Sequence, residues 1–162
     1  MSEEKFPMTP AGLAKLRAEL KTIREHHRPE NVRDIEVALA HGDLRENAEY
    51  HAAKERQAEL DARMRFLEYK IGRAQVIDPA TLKDTRVTFG ATVTLLDVEN
   101  DAQVVYCLVG DDESDADRGK ISISAPIARA MLGKVAGDDV VVRLPKGDRE
   151  YEVIKVEYKA IP

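Results

Sequence analysis

His41-Gly42-Asp43-Leu44-Arg45-Glu46-Asn47-Ala48-Glu49-Tyr50 is a short acidic turn set between two long stripes of helical periodicity. Before it, Leu13, Leu16, Leu20 and Ile23 recur at alternating spacings of three and four, the seam of an amphipathic helix. After it, Ala53, Gln57, Leu60, Met64, Leu67, Ile71 and Ala74 do the same over about residues 46–76. A turn this short obliges the two helices to run antiparallel. The reading is a long hairpin with Asp43 and Glu46 at its far end, and roughly 30 residues at 1.5 Å each make the return arm about 45 Å long.

Working outward, residues 1–8 read as a short tail, and Thr9-Pro10 as a helix start with Thr9 the cap and Pro10 the first helical residue. Beyond Pro29 the stripe resumes as Val32, Ile35 and Leu39. Ile23 and Val32 are nine residues apart, which swings the apolar face by about half a turn, and Pro29 disfavours α geometry at Arg28. A kink or short break is predicted there. After Asp78-Pro79 the period changes to two: Val87 to Leu95, Val104 to Val109, Ile121 and Ile123, Val140 to Val142, and Tyr151 to Val156 read as strands, with one short helix over Pro126 to Leu132. The fold class is α+β: an antiparallel helical coiled-coil hairpin over residues 1–78, then a small, mainly antiparallel β domain over residues 79–162.

The chain is 34% charged and 43% hydrophobic, a globular composition, but it has three Phe, five Tyr and no Trp. That argues against a large aromatic ligand pocket. A net charge of -5 argues against coating nucleic acid by phosphate neutralisation. The first 78 residues carry 14 Lys+Arg against 15 Asp+Glu, the remainder 11 against 15. One cysteine, the absence of a secretory-type opening and the absence of any run near the roughly 20 apolar residues of a membrane span lead to the expectation of a soluble cytoplasmic protein.

Two chemistries fit the acidic turn. Asp43-x-x-Glu46 before a helix is the pattern of a capping box. Carboxylates held ionised at a helix start also suit a hard cation such as Mg²⁺, but two are too few for a closed site, so a partner must complete it. His41 and His51 read as polar surface residues, because the spacing of five from Glu46 to His51 does not align on one helical face. Asp111 to Asp117 is not a calcium loop, since its sixth position is Ala116 and its twelfth Ser122, and it reads as a solvated loop. Cys107 reads as a buried, inert thiol in a strand, and the many cations of the return helix as a salt-bridged face. The chain shows no self-contained active site.

Met8 to Gly12, Arg28 to Glu30, His41 to Glu55, Phe89 to Val93, Val109 to Glu113 and Tyr151 to Tyr158 resemble bacterial transcript cleavage factors of the Gre family, in its GreA branch. The likeness runs from about residue 6 to 159. The resemblance implies that the β domain is FKBP-like and docks at the rim of the secondary channel of bacterial RNA polymerase, while the coil passes down it. Asp43 and Glu46 would be the catalytic tip acids, supporting an Mg²⁺ shared with the polymerase active centre as polymerase cleaves the 3′ end of backtracked nascent RNA. No metal would be held by this chain alone, and the protein would be a monomer that serves the polymerase as a cofactor rather than an enzyme. Asn47 and Tyr50 would support the tip, and Arg45 and Lys54 would contact RNA phosphates. Ser124, Ala125, Pro126, Ile127 and Arg129 would dock, Ala125 standing where the family usually has Ser. Leu39 stands where a basic residue is frequent, which makes the RNA-contacting patch small. Three other readings remain: a channel-binding regulator without cleavage activity; a peptidyl-prolyl isomerase, disfavoured because the β domain has only Phe89 and three tyrosines to line a pocket; and a coiled-coil adaptor with a generic β domain, which leaves the block from His41 to Glu55 unexplained.

Overall fold

The computed structural model describes residues 4–42 and 47–162. They divide into two compact units, Ala14–Arg73 and Met1–Leu13 with Ala74–Pro162.

Helix α1 (Pro10–Thr22) begins as its sequence requires, the Gly12 N–H donating to Thr9 Oγ1 at 3.1 Å. No break follows at Pro29. One π turn, Ile23–His27, leads directly into α2 (Arg28–Ala40), and Arg28 keeps α geometry while its N–H reaches Ile23 O, five residues back. A wide turn just ahead of a proline removes the collision between the ring and the carbonyl four residues earlier. It also offsets the drift of a four-residue spacing, so that Ile23, His27, Asn31, Ile35 and Ala38 continue one face; Ile23, Asn31 and Ala38 are buried. Val32 and Leu39, expected on the seam, are 47% and 46% exposed.

The return helix α3 (Ala48–Gly72) buries Ala53, Leu60, Met64 and Leu67 at the expected spacing. It stops at Gly72, so its 25 residues span about 37 Å rather than about 45 Å. Antiparallel pairing is written in the bonds between arms. Asn31 Nδ2 donates to Ala53 O at 2.9 Å inside the seam, and Asn47 Nδ2 to Ala38 O at 2.6 Å. At the surface Arg63 forms a bidentate pair with Glu19 at 2.6 and 2.8 Å, and Arg24 meets Glu68 at 2.6 Å. The Arg63 hydrogen bond holds the Glu19 carboxyl below its ordinary range. Such exposed pairs each add little stability.

In the other unit, the segment read as a tail forms β1 (Phe6–Met8), and the expected end of the return helix, from Ala74, forms β2 (Ala74–Val76). The two pair in parallel, extended by the Ile77 N–H donating to Met8 O at 2.9 Å. The main sheet contains β3 (Thr92–Asp97), β4 (Ala102–Val109), β5 (Lys120–Ser122), β6 (Asp139–Leu144) and β7 (Gly147–Glu157) in the order β5-β4-β3-β7-β6. It is mixed rather than antiparallel throughout, because β5 pairs in parallel with β4. The chain between them makes two short 3₁₀ turns, Asp111–Glu113 and Ala116–Arg118, and crosses back instead of closing a hairpin. Helix α4 (Pro126–Met131) packs beside β6 and buries Ala128 and Met131 against Val93, Leu95, Leu108, Val140 and Val153. Cys107 is half-buried, with Sγ 3.5 Å from Thr92 Oγ1.

Glu113, read as part of a solvated loop, is a joint instead. Its carboxylate accepts from the Thr9 N–H at 3.1 Å, the Gly110 N–H at 3.0 Å and the Thr9 hydroxyl. The approach leaves no room for side chains at the neighbouring glycines: a Cβ on Gly12 would lie 2.2 Å from the Glu113 carboxyl carbon, and one on Gly110 2.6 Å from Pro7 O. Asp97 plays the matching part at the other end of the sheet. Burial raises its pKa, but Arg149 and the N–H groups of Glu99 and Asn100 outweigh that, and the net shift is downward.

Glu113→Ala is expected to destabilise the β unit by about 2 kcal/mol in urea denaturation, from hydrogen bonds to a charged acceptor. A depressed folded pKa at Asp97 means stability present above its unfolded value and lost on acidification. Below about pH 4 the β unit should weaken progressively, and Asp97→Asn should flatten that part of a stability-against-pH curve; an unchanged slope in the variant would contradict the assignment.

Candidate functional site

The candidate site is the turn end of the hairpin, and the two sides of the turn are built differently. Helix α2 ends at Ala40, with the His41 N–H returning to Ala38 O at 3.1 Å. Gly42 then takes φ +105°, a conformation that costs glycine little and other residues much. Asp43, Leu44, Arg45 and Glu46 lie outside the described residues, and with them both predicted catalytic acids and one predicted phosphate contact.

The chain is described again at Asn47, and here the capping expectation is corrected. The cap of α3 is Asn47, not Asp43: Asn47 is extended (φ −85°, ψ 95°) and its Oδ1 accepts the Tyr50 N–H at 3.0 Å. Its Nδ2 meanwhile donates to Ala38 O, in the last turn of the opposite arm. One side chain thus starts α3 and ties it to α2, at the two ends of the acidic turn. Asparagine does this where aspartate would not, because it offers donor and acceptor together.

Around Asn47, Tyr50 is half-buried and its ring stands edge-on to the exposed His51 ring, with centroids 5.7 Å apart. His41 Nδ1 lies 3.4 Å from Glu49 Oε2, both exposed. Lys54, one turn beyond Tyr50, donates to Gln57 Oε1 at 2.8 Å on its own helix. Asn47 and Tyr50 are therefore brought together, and Lys54 lies on the same helix. Among the described residues no group of three or more His, Cys, Asp or Glu could hold a metal, and no helix is long and apolar enough to cross a membrane.

The predicted docking residues belong to the β unit. Ala125 occupies the position before α4 and supplies no side-chain cap. Pro126 and Arg129 are exposed, and Ile127 is half-buried beside the core. Ser124 Oγ donates to Asp111 Oδ1 at 2.7 Å and lies 2.8 Å from Ser122 Oγ, whose own bond to Asp111 is 2.5 Å. Asp111 thereby orients both hydroxyls. No motif pointed to this pairing, because its partners are 11 and 13 residues apart in sequence.

A helical hairpin in one unit and a five-stranded mixed sheet in the other define a two-part α+β protein. Residues 6–76 match the family model described as Transcription elongation factor, N-terminal, and residues 82–158 that described as Transcription elongation factor, GreA/GreB, C-term. Transcription elongation factor GreA of Hyphomonas neptunium is 51% identical over 156 residues, 96% of this chain and 99% of that protein. The GreA of Helicobacter hepaticus is 50% identical over 155 residues, covering 96% and 95%. Among solved structures, GreA factor homolog 1 of Thermus thermophilus aligns over 94% of this chain and 99% of that one, at 26% identity and a TM-score of 0.44. The chain belongs to the GreA/GreB family of transcription elongation factors.

Asn47→Ala removes both the cap and the tie to Ala38, and should destabilise the hairpin by about 1–2 kcal/mol in thermal melts followed by circular dichroism. Asn47→Asp retains the acceptor and loses the donor, so its melting point should fall between those of the parent and the alanine variant.

Proposed function

We propose that this transcription elongation factor works on bacterial RNA polymerase from the secondary channel, and that its acidic turn stimulates the polymerase's own cleavage of backtracked nascent RNA. What carries the proposal is the family membership of both halves together with the retention of Asp43 and Glu46 beside a hairpin end that Asn47 ties shut. The β unit, FKBP-like in this reading, docks at the channel rim through Ser124, Pro126, Ile127 and Arg129. The hairpin supplies reach: α3 alone accounts for about 37 Å. The protein acts in the cytoplasm, where its partner is.

The donor chemistry of the turn fits Mg²⁺ in kind, since carboxylate oxygens are hard ligands, and falls short in number, since Mg²⁺ takes six. Asp43 and Glu46 would hold the ion jointly with acids of the polymerase and an RNA phosphate. When bound there, it would stabilise charge developing on the scissile phosphate and favour an ionised attacking water. Asn47 serves this by holding the two ends of the turn together, and Tyr50 by filling the space beside it. Lys54 and Arg45 place positive charge near the RNA.

Because α3 is capped by Asn47, the two acids can be neutralised without touching the cap. Asp43→Asn with Glu46→Gln should leave the melting temperature within about 3 °C of the parent, since both amides keep the size of the acids and Asn47 keeps the cap. Polymerase binding should persist, while stimulated cleavage in stalled, backtracked complexes drops by at least about tenfold, the loss of about 1.4 kcal/mol of transition-state stabilisation. Near-normal cleavage by the double variant would falsify the catalytic role and favour a channel-binding regulator that does not promote cleavage.

A further inference from the structure

The outward flank of α3 near its C-terminal end gathers cations and aromatic rings. From Arg63 to Arg73 the chain carries four cations and one acid, within a protein of net charge -5. Two large rings stand on this flank. Phe66 and Tyr69 are 37% and 41% exposed. Tyr69 lies two residues, about 200° of helix, from the buried Leu67. Neither ring is loose. The Arg63 guanidinium sits 5.0 Å and the Lys70 ammonium 5.8 Å from the Phe66 ring centre, and the Arg73 guanidinium 4.2 Å from that of Tyr69. All are within cation–π range. Nearer the turn the same helix shows the usual solvent-face chemistry, Arg56 with Glu59 and Lys54 with Gln57.

Exposed aromatic rings beside arginine are the composition of interface centres, and side chains already ordered lose less freedom on binding. We infer that the Phe66–Tyr69 flank of α3 is a second docking surface for RNA polymerase, and that it meets an acidic protein surface there, Asp or Glu carboxylates set among aliphatic side chains. The inference rests on polymerase being the partner. Charge complementarity selects an acidic occupant: Arg63 is engaged by Glu19 and Lys70 is buried, but exposed Arg65 and half-buried Arg73 lie one helical turn either side of Tyr69. The placement of the cations selects protein over single-stranded nucleic acid. Bases stack on open ring faces, whereas here cations stand over the rings. The exposed parts of the two rings suit aliphatic contact, and the Arg73 guanidinium suits a bidentate carboxylate.

The experiment is competition of full-length protein for bacterial core RNA polymerase, comparing the parent with Phe66→Leu/Tyr69→Leu and with Arg73→Gln. Leucine keeps helix propensity and bulk but removes the rings. Binding should weaken roughly tenfold in the double variant, with far-ultraviolet circular dichroism unchanged, and less strongly in Arg73→Gln, whose affinity should also depend less on salt. Should the leucine variant melt early, Arg73→Gln decides alone, since it leaves both rings in place. A parent that binds while both variants bind within twofold of it overturns the inference, as does loss of binding to a single-stranded RNA oligonucleotide with polymerase affinity retained. A parent that does not bind polymerase overturns both this surface and the proposed partner.

Discussion

Two helices lying side by side can bury apolar surface only along the line where they touch, and in this protein the hairpin depends on that line. Isolated helices of this length are marginal in water, and packing of an amphipathic face supplies most of their stability. Leu16, Leu20 and Ile23 on one arm and Leu60, Met64 and Leu67 on the other provide the bulk of it. A proline in the first arm would ordinarily turn that face away. The π turn at Ile23–His27 both accommodates Pro29 and keeps the seam on course. Along its continuation, the buried Asn31 amide is satisfied on the Ala53 carbonyl. A buried asparagine in a coiled coil gives up some burial and in return specifies register. A slip of one turn between the arms would displace one helix against the other by about 5 Å and break the Asn31 and Asn47 bonds that join them.

The β unit is held by a different kind of constraint, polar groups that must find partners once buried. Glu113 reaches across 104 residues of sequence to take the Thr9 N–H. Asp97 gathers Arg149 and two backbone N–H groups at the far end of the sheet. Each carboxylate sits where several donors converge, so each is costly to remove and unsuited to chemistry with a substrate. The contrast with the hairpin end is instructive. There the start of α3 is supplied by Asn47, an uncharged side chain that both donates and accepts. Each unit thus has a core of its own, an apolar seam in one and a sheet with polar joints in the other.

What the sequence determined by itself is what depends on neighbours along the chain. Helical periodicity, the Thr9-Pro10 start, the alternation after Asp78-Pro79 and the contiguous block from His41 to Glu55 are all local, and the hairpin, the α+β class and the family were legible from them. Asn47 was legible in part. Its place beside the turn was visible, but its bond to Ala38 exists only when two arms meet. Tertiary structure decided the rest. Whether Val32 or Asn31 faces the seam turned on a change of helical pitch that no count of apolar residues contains. Whether residues 6–8 were tail or strand turned on finding residues 74–76 beside them. Glu113 became a joint, and β5 a parallel neighbour of β4, for the same reason: a buried donor or carbonyl takes the partner nearest in space, and that partner is known only after the chain has folded.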